Sequence, residues 1–299
     1  MPHDLDRRGL LYGATAYVVW GLFPILMRAL EPANAAEIVA WRALASLVVC
    51  ALIMLVVGAW RRVWGVATNR ALLTRLAVAS VVISINWGVM VYAVVTDRVS
   101  DTSLGYYINP LVTVGLSVAF LGERLRRLQW VAVGIATVAV VILAVDSRGL
   151  PWISLVLALS FGIYSLVKKT VGTQVDALSG LTIETAVMAP VAAVVLWLVA
   201  AHGATTFAHR GDAGLGWWHD TMLAGTGLWT AGALLVFAAG ARRLPLNVTG
   251  LLQYISPTMT FVLAVTTFGE HMPPVRWAGF ALVWVAVVLI SVDAWRSRR

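Results

Sequence analysis

A single offset of 147 residues relates one half of this chain to the other. Four motif residues of the first half recur at this offset in the second: Tyr107 as Tyr254, Pro110 as Pro257, Glu123 as Glu270 and Trp130 as Trp277. Glu184 likewise stands 147 residues after Glu37. Self-similarity at a fixed spacing indicates repeated structural units, so the chain is predicted to be a duplication of a unit about half its length.

The amino-acid composition indicates the environment in which this duplicated unit folds. Hydrophobic residues make up 60% of the chain, charged residues make up 12%, and the mean hydropathy is +0.86. These values exclude a water-soluble globule with an ordinary polar surface. A helix needs about 20 mostly apolar residues to cross the hydrocarbon core. Ten such stretches are predicted at approximately 9–28, 36–59, 76–95, 102–121, 128–145, 151–168, 178–200, 221–240, 247–268 and 276–294.

The basic excess of the chain, a formal net charge of +8, is distributed as a topology signal. Sixteen Lys and Arg residues fall on one side of the ten spans and five on the other, with Arg42 inside a span. By the positive-inside rule, both termini are predicted to be cytoplasmic. The asymmetry explains the charge without a nucleic-acid partner.

Ten spans divide into two sets of five, and five is an odd number. The second copy of the unit must therefore enter the membrane from the opposite side, which makes the halves an inverted repeat. The charge distribution supports this independently, because Glu123 falls in a predicted cytoplasmic loop and Glu270 in a predicted external loop. The expected fold is all-α, with inverted five-helix repeats at 9–145 and 151–294. Such repeats are typical of secondary transporters, whose binding site lies near the midplane of the bilayer.

Polar residues recur at helical spacing inside the fourth and ninth spans. Tyr106, Asn109 and Thr113 share one face of span four. The second stripe stands 147 residues later and consists of Gln253, Ser256 and Thr260. Unpaired amides and hydroxyls are costly in lipid, so both faces are expected to point at protein or water. Either the stripes line a substrate cavity, or they pack helices closely together.

Prolines and aromatic residues mark the same region of the predicted bundle. Pro110 and Pro257 each remove a backbone donor in mid-span, which bends a helix and frees a carbonyl one turn earlier. Such a kink suits a gating helix, although prolines in membrane spans also set fixed curves. Further cavity candidates lie on other spans: Trp20, Asn86, Trp87 and Tyr164. Aromatic side chains at these positions serve equally well as core or interface residues.

Three ionisable residues fall inside predicted spans: Glu37, Arg42 and Glu184. A charge in hydrocarbon is expensive, so each is a candidate proton relay, substrate counter-charge or gate. Glu37 and Arg42 are five residues apart and point about 140° apart on a helix, so each should contact other helices. The alternative is a structural role, as a helix-end carboxylate or a buried ion pair. Because the repeats are inverted, Glu37 and Glu184 are expected toward opposite membrane faces.

A series of short motifs runs through nearly the whole chain. In the first half they are Tyr17-x-x-Trp20-Gly21, Glu37-Ile38, Asn86-Trp87 and Ser103-Leu104-Gly105-Tyr106-Tyr107-Ile108-Asn109-Pro110-Leu111. In the second half they are Tyr164-x-Leu166-Val167-x-Lys169, Glu184-Thr185 and Gln253-Tyr254-Ile255-x-Pro257-Thr258. In order and spacing, these motifs resemble the RarD-type permeases of the EamA branch of the drug/metabolite transporter superfamily.

This resemblance implies ten helices in two inverted halves, an inner-membrane location and carriage of small organic solutes, with no cofactor. The chain departs from the family at two places. The family usually has His before the span-two arginine, where Trp41 stands here, so no role of that imidazole carries over. The family also tends to show Thr-Thr-x-Pro in span eight, where Trp229-Thr230-Ala231-Gly232 stands here. Without that proline there is no basis for a kink in span eight.

The predicted function is secondary transport of a small organic solute, metabolite or drug by alternating access around a central cavity. The expected partners are the solute and the lipid bilayer. A homodimer is compatible with the sequence, because an exposed apolar helix face looks the same toward lipid as toward another subunit. The main alternative is a passive channel, although no carbonyl filter or ring of like charges is visible.

An intramembrane enzyme is the weaker alternative. All five His residues lie in termini or predicted loops, and the spans contain no aspartate pair for acid–base chemistry. His209 and His219 share a loop with Asp212 and Asp220, but their spacing and the glycines between them do not favour a metal site. No catalytic or metal-binding residue is therefore predicted.

Overall fold

All regular secondary structure is helical in the part of the chain that the structure describes. The computed structural model describes residues 6–121, 127–146, 151–171, 174–208, 216–241, 243 and 252–296. The helices in these ranges are α1 Arg7–Gly21, α2 Phe23–Ala29, α3 Ala35–Val57, α4 Trp60–Thr68, α5 Arg70–Val95, α6 Val99–Leu121, α7 Arg127–Asp146, α8 Trp152–Val171, α9 Ala177–Ala201, α10 Trp217–Ala241, α11 Ile255–Thr266 and α12 Pro274–Arg296.

Several of these helices are long and apolar enough to cross a membrane. By length and composition, five stretches of the described residues qualify: Arg7–Ala29, Ala35–Val57, Arg70–Val95, Ala177–Ala201 and Trp217–Phe237. Shorter apolar helices cover Arg127–Leu143, Trp152–Lys168, Ile255–Thr266 and Pro274–Leu289. The chain is therefore a multi-pass membrane protein. Glu123 and residues 247–251 of the ninth predicted span lie outside the described residues, as do the side chains of Pro110 and Thr113 within α6.

Side-chain caps define where several long helices begin. The caps of α1, α3, α5 and α9 accept hydrogen bonds from N–H groups of the first turn and are Asp6, Asn34, Asn69 and Asp176. These N–H groups have no partner within their own helix, which is why a capping oxygen stabilises the start. At the other end of α3, Gly58 adopts a left-handed conformation with φ of 66°, which ends the helix.

Two prolines coincide with interruptions of the helical ladder. The first predicted span divides at Leu22 into α1 and α2, and Pro24 lies in the first turn of α2. In the ninth span, α11 begins at Ile255 directly after a turn at Gln253 and Tyr254. Pro257 has no N–H to donate to the carbonyl of Gln253, so the ladder stops there and Pro257 lies in the first turn of α11.

The short helix α4 was not among the predicted spans. It follows Gly58 and carries the basic residues Arg61 and Arg62, with the exposed rings of Trp60 and Trp64 beside them. Aromatic and basic side chains together are typical of a helix that lies in the plane of the membrane interface. The loop between the second and third predicted spans is therefore partly helical.

Close helix packing fixes the core of the bundle. The main pairings are α3 with α9 and α10, α5 with α8, α6 with α8 and α11, α1 with α10 and α11, and α7 with α12. At Gly227 of α10, an added Cβ would lie 2.2 Å from the carbonyl carbon of Ala45 in α3. At Gly105 of α6, it would lie 2.9 Å from the carbonyl oxygen of Ser154 in α8. These glycines let backbones approach each other, as small residues do in membrane bundles.

Candidate functional site

The guanidinium of Arg42 lies between two aromatic rings in the interior of the bundle. Its Cζ is 4.5 Å from the ring centroid of Phe23 on α2 and 4.0 Å from that of Trp87 on α5. Its Nε donates a hydrogen bond of 2.9 Å to Oγ1 of Thr230 on α10. A desolvated cation over aromatic faces is held by the ring quadrupoles. Side chains of three other helices, α2, α5 and α10, therefore converge on Arg42.

This guanidinium is buried without a compensating charge among the described residues. Arg42 is only 4% exposed, and its Nη1 has no hydrogen-bond partner there. None of the ion pairs between described residues includes Arg42. Burial of an unpaired cation costs several kcal/mol even after the surrounding protein relaxes. That cost is a large part of the free energy of unfolding of a typical protein. A residue retained at this cost is a functional candidate.

A hydrogen-bonded pair, Asn86 and Tyr106, adjoins Trp87, the nearer ring partner of Arg42. The Tyr106 hydroxyl donates to Oδ1 of Asn86 at 3.1 Å. The Asn86 Nδ2 donates to the Leu157 carbonyl at 3.1 Å and to the Ser160 Oγ at 3.0 Å. The buried amide thus ties α5 to α8 and positions Tyr106. We refer to Phe23, Arg42, Asn86, Trp87, Tyr106 and Thr230 as the Arg42 cluster.

A second polar cluster is centred on Glu184 of α9. Lys168 Nζ donates to Glu184 Oε1 at 2.7 Å, and the Tyr164 hydroxyl donates to Oε2 at 3.1 Å. The Glu184 side chain is 3% exposed and the Lys168 side chain 29%. The ring of Phe161 connects the two clusters, with its centroid 6.2 Å from that of Tyr106 and 6.0 Å from that of Tyr164. Because Lys168 neutralises Glu184, this carboxylate is not the counter-charge of Arg42.

Glu37 joins the first turn of α3 to the segment that follows α9. Its fully buried carboxylate accepts hydrogen bonds from Thr205 Oγ1 at 2.8 Å, from Thr206 N and Oγ1 at 2.9 Å, and from Phe207 N at 3.2 Å. Thr206 Oγ1 also bonds to His219 Nε2 at 2.8 Å. Nearby, the ring of Phe207 lies 4.3 Å from that of Trp41. This is the geometry of the structural alternative, a helix-end carboxylate.

The remaining predicted site residues whose side chains the structure describes are buried or half-buried. Trp20 is half-buried, and its ring lies 5.3 Å from Tyr17 and 5.5 Å from Phe237. Asn109 and Thr260 are buried, and Gln253 and Ser256 are half-buried. The carbonyl of Pro257 is bound by Ser103 Oγ at 2.7 Å, which links α6 to α11. Of the two predicted stripes, Tyr106 is the member whose contacts place it in the Arg42 cluster.

Charged and polar loop residues gather at one end of the bundle. Arg28 Nη1 lies 2.6 Å from Asp97 Oδ1, and the carboxylate of Glu270 accepts hydrogen bonds from the N–H groups of Val99 and Ser100. Burial raises the pKa of Glu270 above its ordinary value of 4.5, the hydrogen bonds from Ser100 and Val99 oppose this rise, and the charge of Asp101 adds to it. These contacts hold the loop before α12 against the start of α6.

Three residues of these clusters were not among the predicted site residues. Phe23 adjoins Pro24, and Thr230 stands where the sequence departs from the span-eight motif, but neither carries a charge that would have marked it. Lys168 stands four residues after Tyr164 on one face of α8. That spacing predicts that Lys168 and Tyr164 share a face, and it does not point to Glu184 on α9.

His219 and Asp220, at the start of α10, have local structural partners. His219 bonds to Thr206, and Asp220 accepts a hydrogen bond of 2.9 Å from the Ala208 N–H. His209 and Asp212 lie outside the described residues. Within the described ranges, no group of three or more His, Cys, Asp and Glu residues is arranged to hold a metal ion.

Comparison with known proteins shows similarity over nearly the whole chain. A family model described as the EamA-like transporter family matches residues 7–145 and again residues 147–292. "Protein RarD" of Streptomyces exfoliatus is 47% identical over 295 residues, which cover 98% of this chain and 91% of that protein. "Uncharacterized transporter PA0485" of Pseudomonas aeruginosa is 40% identical, with 98% and 96% covered. A crystal structure that is 16% identical superposes with a TM-score of 0.59 and covers 97% of this chain and 99% of its own, a likeness of fold alone.

Proposed function

Since this chain belongs to the EamA-like transporter family, we propose that it is a secondary transporter that moves a small organic solute by alternating access. The family is described as a transporter family and the Pseudomonas aeruginosa relative is named as a transporter, so the chain is a membrane transport protein and not an enzyme. The observation that carries the finer proposal is the Arg42 cluster. It brings a buried cation, two aromatic rings and polar side chains together from α2, α3, α5, α6 and α10.

The ten-span inverted repeat is part of this proposal, and the helix pairings support it. With α1 and α2 counted as one span and α4 left out, the helices form two sets of five. The pairings of α3 with α9, α6 with α11 and α7 with α12 each join two repeat mates. The pairing of α1 with α10 has its counterpart in that of α8 with α5. The two family matches divide the chain near the same point as the repeats at 9–145 and 151–294.

We further propose an inner-membrane location with both termini cytoplasmic. The loops predicted to be external contribute Arg28, Asp97, Thr205 and Glu270, and these residues meet loop or helix-end partners from the same predicted side. Arg243, in a predicted cytoplasmic loop, lies 3.6 Å from Asp6 near the N-terminus. Contacts that join only loops of one predicted side favour the topology inferred from the positive-inside rule.

In the proposed cycle, the two halves rock against each other around the Arg42 cluster. The contacts of Glu37, Arg28 and Glu270 fasten the predicted external end in the state described here. Their release, together with movement of the interrupted spans at Leu22 and Gln253, opens the site to that side. Helix interruptions at the substrate level are a recurrent feature of secondary transporters.

Flux through purified protein in proteoliposomes tests this function. A panel of organic acids, amines and neutral metabolites is screened first for thermal stabilisation, because a ligand of the folded form raises its apparent stability. Stabilising compounds are then assayed for uptake. Asn109→Leu and Gln253→Leu should abolish uptake while the unfolding temperature stays near that of the wild type. Normal flux in both variants would remove these residues from the site, and absence of flux for every stabilising compound would contradict transport.

Proton coupling is tested separately with Glu37→Gln and Glu184→Gln. Glu184 contacts Lys168 and Tyr164 in the interior, whereas Glu37 contacts a loop segment. We therefore expect Glu184→Gln to remove the dependence of uptake on a pH gradient and Glu37→Gln to retain it. Retention of the dependence in both variants would show that neither carboxylate carries the proton.

A further inference from the structure

We propose that the transported solute is an organic monoanion whose carboxylate binds the Nη end of the Arg42 guanidinium. This inference rests on the proposed transport function and assigns a chemical class to its substrate. It is carried by a buried Nη1 donor with no partner among the described residues, at the meeting point of α2, α3, α5 and α10.

The charges of the described interior leave Arg42 without a protein counter-ion. Two carboxylates are buried in other helices: Glu184 is bound by Lys168 at 2.7 Å, and Asp293 lies near the end of α12, which packs mainly against α7 and α6. Glu37, although on the same helix as Arg42, directs its carboxylate to Thr205, Thr206 and Phe207. Asp97 is paired with Arg28 at the end of the bundle. An anion supplied by the solute would complete the ion pair that the described protein groups do not form.

The surroundings of Arg42 restrict how an anion can approach. Phe23 and Trp87 flank the guanidinium at 4.5 and 4.0 Å, and Thr230 occupies the Nε edge. The end that carries the Nη atoms is therefore the direction left for a ligand. A planar fork of two N–H donors matches the two oxygens of a carboxylate in a bidentate pair. Nη1 is buried in this state, so the ligand reaches it when the halves move apart.

Charge balance selects a monoanion over a dianion. One guanidinium and one carboxylate make a neutral complex, whereas a phosphate dianion would leave a net negative charge in a low-dielectric interior. The Tyr106 hydroxyl, held by Asn86 beside Trp87, adds a polar group to the same cluster. The rings of Phe23 and Trp87 favour an apolar or aromatic body on the acid. Free inorganic phosphate is therefore expected to compete poorly.

The test compares acids with their uncharged isosteres on the full-length protein. Acetate, benzoate and indole-3-acetate, each beside its amide, are titrated at constant ionic strength while thermal unfolding is recorded, and uptake of the stabilising compounds is measured in proteoliposomes. We expect at least one acid to bind and be transported and its amide to bind at least tenfold more weakly. Arg42→Gln should weaken acid binding by about tenfold to a hundredfold, the range for hydrogen bonds to a charged group. Arg75→Gln is the matched control, because Arg75 is exposed and makes one long contact of 3.5 Å to the Thr170 carbonyl.

A second variant separates geometry from charge. Arg42→Lys keeps the positive charge but loses the planar fork, so it should recover only part of the acid affinity. Acid binding that is unchanged in Arg42→Gln overturns the proposal, as does transport of amines or neutral compounds without any acid. Either result leaves the transport function intact. Binding of an acid at Arg42 without flux of any compound in the wider panel would instead contradict transport and keep the anion site.

Discussion

The guanidinium carbon of Arg42 lies 4.0 Å from the centroid of the Trp87 ring, closer than any other cation–ring pair of the described residues. The two residues belong to adjacent spans of the first half, α3 and α5. The ring holds the cation without neutralising it. Arg42 is thereby fixed in position and keeps its charge for a ligand.

Replacing Trp87 should weaken ligand binding without unfolding the protein. Trp87→Leu removes the aromatic face, which is worth about 2 kcal/mol when desolvated, so affinity for a stabilising acid should fall by about thirtyfold. Trp87→Phe should retain most of the affinity. Trp197→Leu is the control, because Trp197 is 67% exposed on the surface of α9. Thermal titration of the three variants is the measurement, and equal affinities in Trp87→Leu and wild type would contradict the role of the ring.

Removing Lys168 should destabilise the protein by stranding Glu184. Breaking a buried ion pair from one side costs about 3 to 5 kcal/mol, although the half-buried position of Lys168 favours the lower end. The double variant Lys168→Met/Glu184→Gln leaves no stranded charge and should recover most of the loss. The measurement is the unfolding temperature in detergent of the wild type, the single variant and the double variant. A single variant as stable as the wild type would show that the pair contributes little.

Side-chain volume at Gly227 should control the packing of α3 on α10. Gly227→Ala places a methyl group 2.2 Å from the Ala45 carbonyl carbon, a clash with backbone that no side-chain rotation relieves. Gly232→Ala on the same helix meets nothing within 4 Å. We expect a loss of about 1 to 3 kcal/mol for the first variant and no loss for the second. Equal unfolding temperatures would disprove close contact at Gly227.

The pKa of Glu270 predicts a pH dependence of stability. Because the folded state raises this pKa above 4.5, it binds the proton more tightly than the unfolded state does. The stabilisation that protonated Glu270 contributes is complete below pH 4.5, and it is lost as the pH rises through the pKa of Glu270 in the folded state. Neighbouring charges are Asp101, which adds to the rise, and Arg98, paired with Asp101 at 2.7 Å.

The corresponding measurement is a pH series of unfolding temperatures for wild type and Glu270→Gln. The wild-type curve should decline relative to that of Glu270→Gln as the pH increases from 4.5. Parallel curves would show that the titration of Glu270 does not differ between the folded and unfolded states. A relative increase would mean that the N–H groups of Val99 and Ser100 outweigh the cost of burial.

The sequence predicted the helical class and most helix positions because apolar runs of membrane-span length leave few alternatives. The second span was expected at 36–59 and α3 is Ala35–Val57. The break at Leu22 and the short helix α4 were not predicted, since each depends on local backbone geometry that hydropathy does not report. Charges near the middle or start of spans were identified because they are rare, whereas the buried Asp293 near the end of the last span was missed.

Contacts between distant helices were harder to predict. Arg42 was identified as a candidate, yet its partners Phe23 and Thr230 lie 19 and 188 residues away in the sequence. An aromatic ring and a hydroxyl are common in spans, so neither stands out without three-dimensional proximity. Glu37 was also identified from its charge, but its structural role was not predicted. Its partners at 205–207 are ordinary polar and apolar loop residues that the sequence does not mark.

Counterflow in proteoliposomes tests the central claim most directly. Vesicles loaded with an unlabelled solute that stabilises the protein are diluted into a trace of the same solute in labelled form. Alternating access couples outward and inward movement, so the account predicts a transient accumulation of label above its equilibrium level, which Arg42→Gln abolishes and Arg75→Gln preserves. Label that only equilibrates, without an overshoot, would indicate a channel and contradict alternating access.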